Sequence, residues 1–148
     1  MNAPTTRAET GFRIELERRI DAPIEAVFDA VLEETGPGFE TPDGQPLSLK
    51  LEAFPGGRWY RDMGNDEGHY WGTVQAIRRP DLLELRGPIF MSEPVMNNVQ
   101  YRLTEEDGVT VLRMVHVAFG PVTEEAMDNM PHGWNHQLDK IAAKGAGA

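Results

Sequence analysis

The sequence predicts an α+β domain in which a curved antiparallel sheet of about seven strands wraps around a long C-terminal helix, with a short helix after the first strand. Three observations predict this. Residues 12–20 alternate between apolar and polar side chains, as a half-buried strand does. Residues 47–119 repeat short strand-like runs separated by turn residues. After residue 121, apolar residues return at helical spacing.

The first strand leads directly into the first helix. Its apolar residues begin at Phe12 and end at Ile20, with charged residues on the opposite side. Asp21-Ala22-Pro23 then opens a helix, because proline in the first turn loses no hydrogen bond and an acidic residue there complements the helix dipole. Gly36-Pro37-Gly38 ends this helix.

Six further strands are predicted between the two helices, and short turns rich in glycine, proline or acidic residues join neighbouring strands. Their predicted ranges are 47–53, 58–63, 69–78, 82–87, 96–104 and 109–119. Short connections of this kind join antiparallel neighbours, so a meander is expected.

The final helix has a clear start and one interruption. Thr123 is a suitable N-cap, and apolar residues from Met127 to Trp134 follow on one face. Pro131 removes a backbone hydrogen bond, which costs about 3 kcal/mol in a regular helix. We therefore expect a kink or a break at 129–131, and we place the entrance for a ligand there.

Length and composition predict one domain with one core. The chain has 148 residues, which matches a single domain of ordinary size. We expect a disordered tail at 1–10, a single domain at 11–144 and a frayed tail at 145–148. With 40% hydrophobic and 26% charged residues, the composition is that of a globular protein.

Net charge, the length of apolar runs and the cysteine count disfavour or exclude several classes of function. A formal net charge of -10 repels phosphate backbones and anionic lipids, which disfavours nucleic acid binding and peripheral membrane roles. No apolar run reaches the roughly 18 residues that span a bilayer, so no membrane insertion is predicted. The absence of cysteine excludes disulfides, thiol catalysis and thiolate metal sites, and it fits a cytoplasmic location.

Several short motifs occur in an order that is typical of a known superfamily. The junction from Ile20 to Phe28 is similar to the entry into the first helix of the START-related helix-grip superfamily (SRPBCC), which includes birch-pollen allergen relatives and polyketide cyclases. Pro55-Gly56-Gly57-Arg58-Trp59 resembles a hairpin of the branch related to activators of heat-shock protein 90 ATPase. Further matches to that branch are Gly72-Thr73-Val74, Pro80 to Leu85, and Gly133-Trp134 followed by Leu138. The resemblance spans residues 12–142.

The resemblance implies a helix-grip fold whose interior either holds a ligand or is filled by side chains. Members of the superfamily bind lipids, polyketides, flavonoid-like molecules or partner proteins. Large and adaptable side chains are the candidates to contact a hydrophobic small molecule, because methionine is flexible and polarizable. The predicted ligand-binding residues are Trp59, Arg61, Trp71, Met96, Tyr101, Met114, His116, Met127, Met130 and Trp134.

Three functions remain open at this stage. The leading hypothesis is a binding protein without a cofactor that holds an apolar small molecule. The second is an enzyme of the cyclase or hydrolase kind, in which Arg61, His69, Tyr101 or His116 transfers a proton within the same pocket. The third, suggested only by the resemblance, is a chaperone-linked interaction module. Self-association as a homodimer through an edge strand is a further hypothesis.

Two clusters contain residue types that are found in metal or catalytic sites. His132 and His136 have i, i+4 spacing on the final helix, but a metal needs a third ligand, so no metal site is predicted. Acidic residues near His69 surround the turn at Gly64 without the regular ligand spacing of a calcium loop. No catalytic residue is assigned.

Overall fold

The computed structural model describes residues 11–147, and nine helices and strands follow one another within them. They are β1 (Phe12–Ile20), α1 (Ile24–Thr35), β2 (Leu49–Leu51), β3 (Arg58–Gly64), β4 (Glu67–Arg78), β5 (Leu82–Gly87), β6 (Met96–Glu106), β7 (Val109–Phe119) and α2 (Glu124–Gly145). The predicted element order and the helix-grip fold class are confirmed. The tail predicted at 1–10 lies outside the described residues, and the domain boundary at 144 stays a prediction.

The strands form one antiparallel sheet in the order β1-β7-β6-β5-β4-β3-β2. From β2 to β7 the chain forms a meander, and β1 then pairs with β7 at the far edge. Side chains alternate across each strand, so one face of the sheet is apolar. Tyr101 on β6 and Met114 on β7 are opposite each other and fully buried on that face.

Helix α2 packs on the apolar face of the sheet and also against α1. Trp134, Leu138 and Ile141 are buried at helical spacing on the side that faces the core. At the crossing with α1, a Cβ on Gly145 would lie 3.3 Å from Val27 Cγ2. A glycine at this position therefore allows the two helices to approach closely.

Helix α2 begins as predicted but does not break at Pro131. Thr123 Oγ1 accepts a hydrogen bond of 3.1 Å from Ala126 N, which confirms the N-cap. Helical structure continues from Glu124 to Gly145, so the helix does not break, and the kink that we expected as the alternative stays a prediction. Proline removes only one N–H, and the buried Met130 and Trp134 on either side of it hold the helix against the sheet.

A bulge between β3 and β4 directs one tryptophan toward the helix. Trp59 is opposite Gly72 and Tyr60 is opposite Tyr70, so Trp71 is an extra residue on β4. Bulges change the direction of side chains and are common beside binding sites. Trp71 is only 3% exposed, and its backbone carbonyl accepts a hydrogen bond from Ile89 N at 2.8 Å.

Candidate ligand cavity

A cavity of about 760 Å³ lies between the sheet, the first half of α2 and the segment that joins α1 to β2. This volume is in the range of small-molecule sites. Its lining residues are Phe39, Glu40, Thr41, Pro42, Leu47, Arg61, His69, Trp71, Phe90, Thr123, Glu125, Ala126, Asn129, Met130, His132, Gly133 and Trp134. The stretch of α2 around Pro131, where we predicted a ligand entrance, forms one wall.

Four aromatic rings form much of the apolar lining. Phe39 packs edge-to-face on Trp71 at a centroid distance of 5.4 Å and on Trp134 at 6.3 Å. Phe90 meets Trp71 in the same way at 5.6 Å. Such contacts stabilise the arrangement, because edge-to-face pairs are favourable beyond simple burial. The cavity therefore has a largely aromatic wall.

The connection between α1 and β2 is attached to α2 by hydrogen bonds and by ion pairs of Lys140. His136 Nε2 lies 3.0 Å from Glu40 Oε1, and Lys140 Nζ lies 3.4 Å from the other oxygen of Glu40. Lys140 also lies 2.9 Å from the buried Glu34 and donates to Gly38 O at 2.6 Å. The hydrogen bond from His136, followed by the charge of Lys140, lowers the pKa of Glu40. These contacts hold one wall of the cavity against the helix.

His116 lies behind the cavity in a buried hydrogen-bonded chain. Trp134 Nε1 donates to His116 Nδ1 at 2.9 Å, and His116 Nε2 lies 2.7 Å from Asn97 Oδ1. Asn97 Nδ2 donates in turn to the carbonyls of Gly87 and Pro88. Since Nδ1 accepts, the ring is neutral with its proton on Nε2. Burial lowers the pKa of His116 to about 4.

Tyr101 and Trp59 are also satisfied within the protein. Tyr101 Oη donates to Gln137 Oε1 at 2.6 Å, and burial raises the pKa of this phenol. Trp59 Nε1 donates to Thr35 O at 2.8 Å, and Gln137 Nε2 lies 3.4 Å from Thr35 Oγ1. These side chains join the sheet to α1 and α2, and their polar atoms are occupied.

Arg61 and Trp71 differ from this pattern. Arg61 Nε and Trp71 Nε1 are both shielded from solvent, and neither has a hydrogen-bond partner among residues 11–147. The two residues lie on β3 and β4 and line the cavity together. His69, directly opposite Arg61 on β4, lies at the exposed rim.

The structure brings four of the ten predicted ligand-binding residues to the cavity, and contact with a ligand stays a prediction for all of them. Arg61, Trp71, Met130 and Trp134 line it. Trp59, Tyr101, Met114 and His116 are buried in the core beyond the lining, and Met127 is partly buried against that core. Met96 is 50% exposed and lies on the opposite face of β6 from the buried Asn97, so it is directed away from the cavity.

Several lining residues were missed by sequence reasoning. Phe39 and Leu47 lie in or beside the segment rich in glycine and proline, which has no periodicity to show which side chains face inward. Phe90 likewise follows a turn after β5. Apolar residues within an otherwise irregular connection were the available signal, because a solvated loop gains little from them.

The two histidines of α2 take separate positions. His132 lines the cavity, whereas His136 binds Glu40. Within residues 11–147, no group of three or more His, Cys, Asp or Glu side chains is arranged to hold a metal ion. Neither helix of the described chain has the length and apolar character needed to cross a membrane.

Comparison with known families identifies the group to which the chain belongs. A family model described as Activator of Hsp90 ATPase homolog 1-like protein matches residues 21–144. The chain belongs to this family. The resemblance to the helix-grip superfamily is thereby confirmed, together with its branch. A search of curated proteins found no match.

Solved structures share the fold of this family member at low sequence identity. CV1439 from Chromobacterium violaceum has a TM-score of 0.70 and 19% identity, over 92% of this chain and 98% of its own. CalU16 from Micromonospora echinospora has a TM-score of 0.64 and 20% identity, over 93% and 78%. The di-domain ARO/CYC BexL from the BE-7585A biosynthetic pathway has a TM-score of 0.66 and 15% identity, over 94% and 51%. These likenesses show the fold alone.

Proposed function

We propose that this chain is a small-molecule binding protein that holds a hydrophobic ligand, such as a lipid, polyketide or aromatic compound, between the sheet and α2. The observation that carries the proposal is the cavity of about 760 Å³ lined by Phe39, Trp71, Phe90 and Trp134. The cavity opens beside the packed core, and its volume lies in the range of small-molecule sites. The helix-grip fold, shared with an ARO/CYC protein of a biosynthetic pathway, supports the same proposal.

Gly133 provides a direct test because it lines the cavity without filling it. Within the described part of the chain, no heavy atom lies within 4 Å of the position that a Cβ on Gly133 would take. A phenyl group placed there would enter the space that we assign to the ligand. Alanine at the same position would leave most of that space open and would favour the helix by about 1 kcal/mol relative to glycine.

We expect the neutral fluorescent probe N-phenyl-1-naphthylamine to bind the unaltered protein saturably with one molecule per chain. Gly133→Phe should weaken its binding by about tenfold or more, since a loss of about 1.4 kcal/mol in binding free energy raises the dissociation constant tenfold. The matched control Gly133→Ala should retain binding within about threefold. Thermal unfolding followed by circular dichroism checks that both variants fold. Equal affinity in the two variants, or no saturable binding to the unaltered protein, would contradict the proposal.

An enzyme of the cyclase or hydrolase kind is the second candidate, favoured by one observation. Arg61 and His69 are opposite each other on β3 and β4, and both line the cavity. His69 could transfer a proton near a group that Arg61 orients. However, Tyr101 and His116 are bonded to other partners, and no side-chain hydrogen bond joins any two of these four residues within 11–147. Binding therefore stays the leading proposal.

Location and assembly belong to the same proposal. The lack of cysteine and the net charge of -10 support a cytoplasmic protein that binds neither nucleic acid nor membranes. The chaperone-linked module and the homodimer stay predictions. The surface available for a protein partner includes Val117 and Phe119 on β7 and Met96 on β6, which are exposed on neighbouring strands.

A further inference from the structure

The two unpartnered donors in the cavity limit the chemistry of the ligand. Arg61 Nε and Trp71 Nε1 carry hydrogens and cannot accept, because a guanidinium and an indole N–H are donors only. Both atoms are shielded from solvent without a partner in residues 11–147. Buried donors of this kind are unfavourable until an acceptor reaches them. A ligand that relieves this cost must present an acceptor to both side chains.

The other polar groups around the core show that these two are exceptions. The indole N–H groups of Trp59 and Trp134 both have acceptors within the protein. Tyr101 and His116 also have partners at 2.6 to 2.9 Å. The fold therefore satisfies the tryptophans that it uses for packing. The tryptophan without a partner is Trp71, which the bulge in β4 places beside the cavity.

The charge of Arg61 favours an anion over a neutral acceptor. Arginine keeps its charge at every ordinary pH, and a half-buried charge without a counterion is costly. None of the ion pairs within residues 11–147 includes Arg61. Two carboxylates also line the cavity: Glu40 is already bound to His136 and Lys140, and Glu125 is exposed to solvent in the first turn of α2. A carboxylate on the ligand would supply the missing charge and accept hydrogen bonds in the geometry that a guanidinium prefers.

We infer that the ligand is an apolar acid, with a carboxylate held by Arg61 and Trp71 and an aromatic body seated between Phe39, Phe90 and Trp134. This inference rests on the proposed function, since it assigns a ligand class to the same cavity. It also specifies an orientation. The acid end lies against β3 and β4, and the rings lie against α2 and the segment before β2.

Three naphthalene probes of nearly equal shape test whether the cavity prefers an anionic, a neutral or a cationic ligand. 2-Naphthoic acid is an anion at pH 7.5, 2-naphthamide is neutral, and 2-naphthylmethylamine is a cation. Isothermal titration calorimetry should show the acid binding about tenfold or more tightly than the amide, as expected when a charge-assisted hydrogen bond replaces a neutral one. The amine should bind most weakly, because its charge repels that of Arg61.

Variants of Arg61 and Trp71 test whether these two donors cause the preference for the acid over the amide. Arg61→Gln should weaken the acid by about tenfold to a hundredfold and change the amide by less than about threefold. Arg61→Lys, which keeps the charge, should retain part of the preference. Trp71→Phe removes the N–H but keeps a ring, so it should weaken the acid by about threefold to tenfold. Arg58→Gln removes the same charge three residues away, where Arg58 is exposed and bound to Glu52, and should change neither probe.

The possible results distinguish this inference from the proposed function. Equal binding of acid and amide, or equal losses for both probes in Arg61→Gln, would overturn the acidic ligand and leave the binding function in place. An equal effect of Arg58→Gln would do the same. Failure of all three probes, together with failure of N-phenyl-1-naphthylamine, would overturn both. Circular dichroism melts confirm that each variant is folded before binding is compared.

Discussion

Replacing Trp134 with alanine will lower the free energy of unfolding by about 3–5 kcal/mol, the range for loss of a buried aromatic side chain. Trp134 is 2% exposed, packs edge-to-face on Phe39 and His116, and donates the hydrogen bond that His116 accepts. The alanine variant loses the ring contacts and leaves a buried nitrogen without a donor. Trp134 therefore contributes both to the core of the protein and to one wall of the cavity.

Urea denaturation monitored by far-ultraviolet circular dichroism measures this loss. Phe119→Ala is the control, because Phe119 is 70% exposed and its removal should change the free energy of unfolding by less than about 0.5 kcal/mol. Trp134→Phe keeps one aromatic ring but removes the donor and part of the indole volume, so it should cost less than Trp134→Ala, about 1–3 kcal/mol. A loss below about 1 kcal/mol in Trp134→Ala would contradict the packing described here.

Lowering the pH from 7.5 to 5 will remove about 2 kcal/mol of stability through His116 alone. Burial lowers the pKa of His116 from 6.5 to about 4 in the folded protein. Between these two values the unfolded chain binds a proton that the folded chain does not, so acid favours unfolding. The contribution is fully present above pH 6.5 and is lost as the pH falls toward 4.

Burial is the cause of the lowered pKa of His116, and its hydrogen bonds are arranged for the neutral ring. Its Nδ1 already accepts from Trp134 and its Nε2 lies 2.7 Å from Asn97 Oδ1, so an added proton would point at the Trp134 N–H. The pKa of Glu40 is lowered from 4.5 by its hydrogen bond to His136. That carboxylate loses its contribution only below pH 4.5. Between pH 6.5 and pH 5, the change in stability therefore reports on His116 and not on Glu40.

Urea denaturation at several pH values between 7.5 and 5 measures this dependence. In Trp134→Phe the donor that opposes protonation of Nδ1 is absent, so the loss of stability over the same interval should shrink. His69→Gln, at the exposed rim, is the control and should keep the dependence of the unaltered protein. A stability that is flat over this interval in the unaltered protein would contradict a neutral buried His116.

Much of the fold could be predicted because regular elements carry periodic signals. The alternation from Phe12 to Ile20 and the helical spacing after Thr123 report directly on which face is buried. Of the kink or break expected at Pro131, the break does not occur, because Met130 and Trp134 on either side are buried in the core and local propensity does not report that packing. Tertiary contacts commonly override the cost of one missing backbone hydrogen bond.

The site was less predictable because it depends on register and on hydrogen-bond partners. Tyr101, His116 and Trp59 are predicted as ligand-binding residues, and they are buried, but no sequence signal shows that each has a partner within the protein. Nor does any sequence signal show the bulge that makes Trp71 an extra residue on β4. What distinguishes Arg61 and Trp71 is the lack of a partner, which only the three-dimensional arrangement reveals.

The indole N–H signals of the three tryptophans offer the most direct test of an apolar acid in this cavity. In a proton–nitrogen correlation spectrum titrated with 2-naphthoic acid at pH 7.5, the Trp71 signal, assigned from Trp71→Phe, should move furthest as its N–H gains an acceptor. The Trp59 signal should stay in place, because Trp59 Nε1 already donates to Thr35 O at 2.8 Å. A Trp71 signal that does not move at saturation, or that moves no more than that of Trp59, would contradict this account.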